Sequence, residues 1–226
     1  VIHTMPVKSI SQNAYETLKH AILLGEIPAG TRLIETYYSK LLHISRTPLR
    51  EAIRMLEQDG LVTFAENRGA TVTGFTLEDI EETFTIRNAL MLLLLPSIVE
   101  LATEQDFVKL RELVALMDIS QADEDAEKLS VQNRAFHKTL EHISNKKRIL
   151  RVIDSQEELI IRFSAIAIAS IVHRSKAQEE HHQILAFLEQ RDLEGISRLM
   201  SKHIEDSKQT CLATFKKKYN NQEDKT

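Results

Sequence analysis

The chain is poor in several features that would each have pointed to a class of function. It has one cysteine, Cys211, so no disulfide can form within it, and the compartment expected is a reducing one, the cytoplasm. It has no apolar run of membrane length. The longest, "ALMLLLLPSIVELA" at 89–102, contains a proline and stops short of the roughly 20 residues a span requires, so it is read as a buried or interface helix. The N-terminus shows no secretory signal pattern, and residues 1–4, ahead of Met5, are left out of the fold reading. The chain is also short of charge of one sign: the net charge is −4, made of +1 over residues 1–76 and −5 beyond. A field that weak does not draw a polyanion from a distance, and any attraction for phosphate has to be local.

At 226 residues the chain suits one large or two modest domains that bury about 70% of the unfolded surface. Local charge is concentrated in "HISRTPLREAIRMLEQDG", residues 43–60. Arg46, Arg50 and Arg54 recur every fourth residue and share one face of a helix, while Leu49, Ile53 and Leu56 share another. Ser45 or Thr47 can cap the start, Pro48 is tolerated in the first turn, and Gly60 is placed to end the helix. A solvated charged face is the ordinary reading of such a helix. Its neighbours point elsewhere.

Ahead of it, Ala14, Leu18, Ala21 and Ile22 recur at helical spacing until Gly25 closes the segment. "LIETYYSKLLHI" then forms a short second helix with Tyr38, Leu41 and Leu42 expected inward. Three short helices with a tight connection between the last two are the helix-turn-helix layout. After Gly60, "LVTFAENRGATVTGF" reads as two short strands around the turn "ENRG", which makes the unit a winged helix.

Thr76 and Asp79 then stand at capping-box spacing and open a region without strand-like alternation. To about residue 218 its only glycine and proline are Gly195 and Pro96. The helices expected are 77–102, 104–118, 124–143, 146–172, 175–190 and 192–218. The fold class is therefore mainly α: a winged helix-turn-helix with a two-stranded wing over 6–75, an all-α helical bundle over 76–218, and a frayed tail over 219–226.

The bundle sequence holds a second constellation. Asn133 and His137 are spaced i, i+4, and His181 and His203 follow the apolar stripes of their own helices, so all three histidines are expected to point inward. Singly, each would be a satisfied core histidine. Three neutral imidazoles from separate helices, with coordination positions left open, suit zinc, nickel or a similar divalent ion. Arg87 and Arg162 are candidates for gripping a carboxylate bidentately, the other reading of each being a structural ion pair.

The order of "AILLGEIPAGTRLIE", "ISRTPLREAIRMLEQDGLV", "NRGATV" and "TLEDIEETFTIRNAL" resembles the GntR family of bacterial transcription regulators, in its FadR-like branch with the all-helical FCD effector domain. The resemblance covers nearly the whole chain. It implies base and phosphate contacts from Ser45, Arg46, Thr47 and Arg50 to double-stranded operator DNA, with Gly69 at the wing tip. Arg46 and Arg50 are the expected readers, since a bidentate Arg–guanine pair discriminates by about 1–3 kcal/mol. Arg54 either joins them or pairs with Glu57 or Gln58. Where fatty-acid-responsive members carry an arginine just after the residue matching Glu35, this chain has Thr36.

The resemblance also implies a metal held by an aspartate and three histidines, matching Asn133, His137, His181 and His203. Here the aspartate is replaced by Asn133, so metal binding is expected to be weaker and an anionic effector, once a metal is present, to be held more firmly. The function expected is a ligand-responsive regulator that binds its operator as a homodimer and answers to a small organic acid. Two alternatives stand beside it: a metal-dependent hydrolase built on the three histidines, which leaves the winged helix unexplained, and a DNA-binding protein whose helical domain is only a dimerisation scaffold.

Overall fold

The computed structural model describes residues 9–24, 26–65 and 69–223. The chain divides into two compact units, Val1–Phe75 and Thr76–Thr226.

In the first unit, α1 (Ile10–Leu24) buries Ala14, Leu18 and Ile22, one residue per turn, against α3 (Arg46–Gln58). Gly25, expected to close α1, lies outside the described residues. The two-turn helix α2 (Glu35–Leu41) buries Tyr38, but Leu41 faces out. The expectation of an inward Leu41 fails because it shares the i, i+4 stripe of exposed Tyr37, and the helix stops there as His43 adopts φ 54°. Leu42, the next residue, is half-buried.

Helix α3 puts Leu49, Ala52, Ile53 and Leu56 into the core. Ser45 occupies the N-cap position without a side-chain capping bond, and Pro48 falls in the first turn, where no amide partner is lost. The helix ends on a two-bond lock: Gly60 at φ 72° donates its amide to Glu57 O, and Leu61 donates to Leu56 O, both at 2.9 Å. Two residues later the wing begins. β1 (Val62–Ala65) pairs antiparallel with β2 (Gly69–Val72) in the register Val62–Val72 to Ala65–Gly69. The turn "ENRG" lies outside the described residues except for Gly69. Arg32 adds a bridge to Thr71 on the other edge of β2, and Leu33 N–H donates to Ala70 O at 2.8 Å.

The second unit has α4 (Leu77–Leu101), α5 (Glu104–Ala122), α6 (Ala126–Ile143), α7 (Lys147–Ser155), α8 (Glu157–Ile168), α9 (Ile171–Glu189) and α10 (Leu193–Glu223). Thr76 and Asp79 form the expected capping box, and Thr103 with Asp106 forms another. Among the described residues α4 alone is long and apolar enough to cross a membrane, but it packs against α10, α6, α7 and α8 and buries Arg87 along with Phe84, Met91 and Leu94. Pro96 lies inside it without breaking it.

The helix expected over 146–172 is two helices, parted at Gln156 with no glycine or proline to mark the break. Glu157, directly after it, pairs with Arg134 on α6, a long-range bond that no local pattern encodes. The tail expected from 219 is helical as far as Glu223, and 224–226 lie outside the described residues.

Candidate functional site

Two clusters hold the residues singled out by the sequence, one in each unit. On α3 the apolar face is spent on the core, which leaves Arg46, Thr47, Arg50 and Arg54, with Ser45 ahead of them, exposed on the other side. Arg50 is not loose. Its Nε donates to Glu35 Oε1 of α2 at 2.8 Å, and this bond, with the charge of Arg46 nearby, holds the Glu35 carboxyl below the usual carboxylate range. Arg54 makes no bond to Glu57 or Gln58.

Arg50 and Arg54 line one side of a groove of about 420 Å³, and Arg32, Phe64 and Gly69 line the other. Gly69, at φ 70°, opens β2, and a Cβ placed on it would stand 3.6 Å from the guanidinium of Arg32. Arg32 is a further cation of this face, outside the expected contact residues. Its signal lies in "AGTRLIE", where the glycine turn ahead of it feeds an extended segment, but a single exposed arginine in such a segment is unremarkable until the wing is seen beside it.

In the second unit, α6, α9 and α10 each send one histidine to a common point. His137, His181 and His203 are all buried, with ring centroids 5.3, 5.3 and 4.7 Å apart. His181 Nε2 stands 3.3 Å from His137 Nε2, and one ligating atom from each ring lies within 4.8 Å of the others. Nitrogens bound tetrahedrally to zinc at about 2.0–2.1 Å are separated by about 3.3 Å, so the donor set fits a borderline divalent ion. Burial, with the charges of Arg87 and His203 nearby, holds His137 and His181 well below the usual histidine value. Neutral imidazole is the form that binds a metal. Asn133 is buried on the same helix as His137, one turn ahead.

The rings are held from behind. His181 Nδ1 faces Gln178 Oε1 at 3.3 Å, and His203 Nδ1 faces Glu180 Oε2 at 3.0 Å. Burial alone would raise the Glu180 carboxyl, but His203 and Lys202 bring it down to about 2. Gln178 carries no sequence signal beyond lying one turn before His181, and Glu180 stands out only as a neighbour of that histidine. His182, one position round, points to the surface and Asp118, as its place on the helix predicts.

Arg87 lies beside this cluster. It is buried, its Nη1 donates to Ser164 Oγ at 3.2 Å, and burial pushes it down to about 10. The nearest acids to take its charge, Glu141 and Glu157, are bound instead by Arg134. Four buried side-chain atoms among the described residues have no hydrogen-bond partner, and two of them, Arg87 Nε and His137 Nδ1, are here. Arg162 is placed differently: it is half-buried on α8, with the buried Cys211 thiol among its electrostatic neighbours.

Comparison with known proteins covers both units. The family described as bacterial regulatory proteins, gntR family, matches residues 10–72, and the FCD domain family matches residues 82–206. The HTH-type transcriptional regulator YdhC of Bacillus subtilis is 28% identical over 192 residues, spanning 84% of this chain and 85% of its own. The gluconate operon transcriptional repressor of the same species is 26% identical over 180 residues, 80% of this chain and 71% of its own. Among solved structures, Escherichia coli McbR/YncC is similar at a TM-score of 0.71 with 25% identity, covering 93% of this chain and 99% of that one. A regulator from Rhodococcus sp. RHA1 is similar at 0.70 with 25% identity, covering 90% and 97%.

Proposed function

We propose that this chain, which belongs to the gntR family of bacterial regulatory proteins and carries an FCD domain, binds operator DNA as a homodimer and releases or tightens it in response to a small carboxylate effector. Its relatives are transcription regulators and not enzymes, so the three histidines are read as a binding pocket.

Arg46 and Arg50 read guanine edges in the major groove, Ser45 and Thr47 hold phosphate or base, and Gly69 lets the wing approach the backbone. Arg54 and Arg32 add phosphate contacts from the two walls of the groove. Arg32 supplies a cation on this face, where Thr36 supplies none. One short recognition helix reads only a few base pairs, so two copies on a palindrome are needed for specificity. Exposed Ile86 and Leu93 of α4, seven residues apart on one stripe, support that helix as part of the dimer contact.

In the helical unit the reading rests on one observation: Arg87, a buried cation whose Nε has no partner, stands beside three buried histidines. An anion entering there meets a bidentate donor at little further desolvation cost, because the guanidinium is already out of water. His137, His181 and His203 would hold a zinc or nickel ion, with Asn133 as a neutral fourth donor. Such an ion supplies a Lewis-acidic centre for the effector carboxylate. With an amide in place of a carboxylate at 133, the pocket keeps one more positive charge, which weakens the hold on metal and strengthens the hold on an anion. The gluconate repressor among the relatives favours an acid as the class of effector. A coupling of about 1–3 kcal/mol between pocket and operator changes DNA affinity about 5- to 150-fold.

The test is metal analysis of tag-free protein beside His137→Ala, followed by a melting-temperature screen of small carboxylates with and without the ion. Close to one ion per chain, lost in the variant, with carboxylates raising the melting temperature, is expected. No ion after incubation with excess zinc and nickel would overturn the metal part. No carboxylate shift in wild type, with Arg87→Gln identical to it, would leave the helical unit as a dimerisation scaffold.

A further inference from the structure

We infer that Gln178 and Glu180 are positioning residues that fix His181 and His203 in the Nδ1–H tautomer, so that both Nε2 lone pairs face the centre of the cluster before any cation arrives. This rests on the pocket reading above, but the tautomers are a property of the protein alone.

The orientation of the Gln178 amide is set by its surroundings. Its Nε2 lies 3.1 Å from Val114 O and 2.7 Å from Asp118 Oδ1. A carbonyl and a carboxylate only accept, so that end must be the NH₂ group. Flipping the amide would set an oxygen against both. The other end, Oε1, therefore faces His181 Nδ1, and since an amide oxygen only accepts, the proton of a neutral His181 sits on Nδ1. Asp118 is shared with His182 at the surface, so the chain of bonds that aims His181 begins at a solvent-exposed carboxylate.

The same reasoning applies to α10. Glu180 accepts from Lys202 Nζ and from His203 Nδ1, both at 3.0 Å. A carboxylate has no proton to give, so Nδ1 of His203 is the donor, and in the neutral ring Nε2 carries the lone pair. A carboxylate partner of this kind raises the basicity of the ligating nitrogen and fixes the ring plane.

His137 is the exception. At 3.3 Å from an Nε2 that can only accept, its own Nε2 carries the proton, and its unpartnered Nδ1 is left bare. The metal-free cluster thus has two lone pairs set for ligation and one proton in the way. For His137 to ligate through Nε2, that proton would have to leave Nε2 and one be taken up at Nδ1, which would keep the ring neutral with no net proton released.

Long-range ¹H–¹⁵N NMR of the full chain, stripped of metal by chelation, tests this directly, with the three rings assigned by single replacements. Expected are Nδ1–H for His181 and His203 and Nε2–H for His137, the last changing to Nδ1–H when zinc is added. An Nε2–H tautomer at His181 or His203 in the metal-free protein would overturn the inference. Zinc titration against a competing chelator gives the second arm: Glu180→Ala lowers affinity about 10- to 100-fold while Glu180→Gln, which can still accept from Nδ1–H, retains most of it. Equal zinc affinity in wild type and Glu180→Ala would overturn the positioning role. If wild type binds no zinc yet shows the assigned tautomers, the inference stands and the metal reading of the pocket falls.

Discussion

Arg50 of α3, the proposed recognition helix, is held by Glu35 of the helix before it, Nε to Oε1 at 2.8 Å, which leaves the two Nη groups out of that bond. A reader arginine fixed through Nε keeps both Nη groups for a guanine's O6 and N7 and loses less rotamer entropy on docking. The pair is exposed, so its own contribution to folding is small.

Glu35→Ala is therefore expected to leave the melting temperature nearly unchanged while lowering the ratio of specific to non-specific DNA binding about tenfold. Removing a negative charge from the DNA face should tighten non-specific binding at the same time. Fluorescence anisotropy on a selected operator and a scrambled duplex measures both, and an unchanged ratio would show that Arg50 needs no support.

Arg50→Ala should abolish operator recognition without unfolding the domain, whereas Arg32→Ala should weaken all duplexes alike. For Arg32 the logarithmic slope of affinity against salt should fall in magnitude by about 0.9, the value for one phosphate contact. A slope identical to wild type would remove Arg32 from the interface.

Stability of the metal-stripped protein should decline as pH falls below about 6.5. Burial keeps His137 and His181 neutral in the folded chain well below the value at which the unfolded chain takes up protons. The unfolded state therefore binds more protons in that window, and stability is lost as pH drops through it, by up to about 1.4 kcal/mol per pH unit for each ring. Urea midpoints at about pH 7.5 and about pH 5.5 measure the loss, which His181→Gln should reduce. An equal loss in the variant would assign it to other groups.

Gly195→Ala should destabilise the helical unit by about 1–3 kcal/mol, as overpacking does. A Cβ there would lie 2.4 Å from Asp192 Oδ2 and 2.6 Å from the ring of Phe187, and Asp192 also caps the Gly195 amide at 2.9 Å. Thermal melting of the variant decides it. Gly195 lies within the first turn of α10, inside the helix expected over 192–218.

The sequence makes the periodic features legible. The apolar stripe of α3, the Thr76 capping box and the inward aim of the three histidines all follow from spacing of three or four residues, and the structure has each. Tertiary features are less visible. The break at Gln156 coincides with the bond from Glu157 to Arg134, 23 residues earlier, and the outward turn of Leu41 depends on where a two-turn helix happens to stop. Gln178 and Arg32 escape notice because each matters only through a partner far along the chain: Val114 and Asp118 for one, Gly69 for the other.

On the proposed reading of α3 as the recognition helix, the junction between it and the wing sets a limit on which operators can be gripped. Gly60 and Leu61 are bonded backward to α3 and forward to the end of the hairpin, where Thr73 donates both its amide to Leu61 O at 2.9 Å and its hydroxyl to Gly60 O at 2.5 Å. The two parts proposed to touch DNA, α3 and the wing, are therefore tied together at their base, which sets their spacing. A duplex whose groove width differs from that spacing has to deform to be gripped, and the cost of doing so depends on base steps that no side chain contacts. On that reading, discrimination is built partly into the two-residue junction of Gly60 and Leu61.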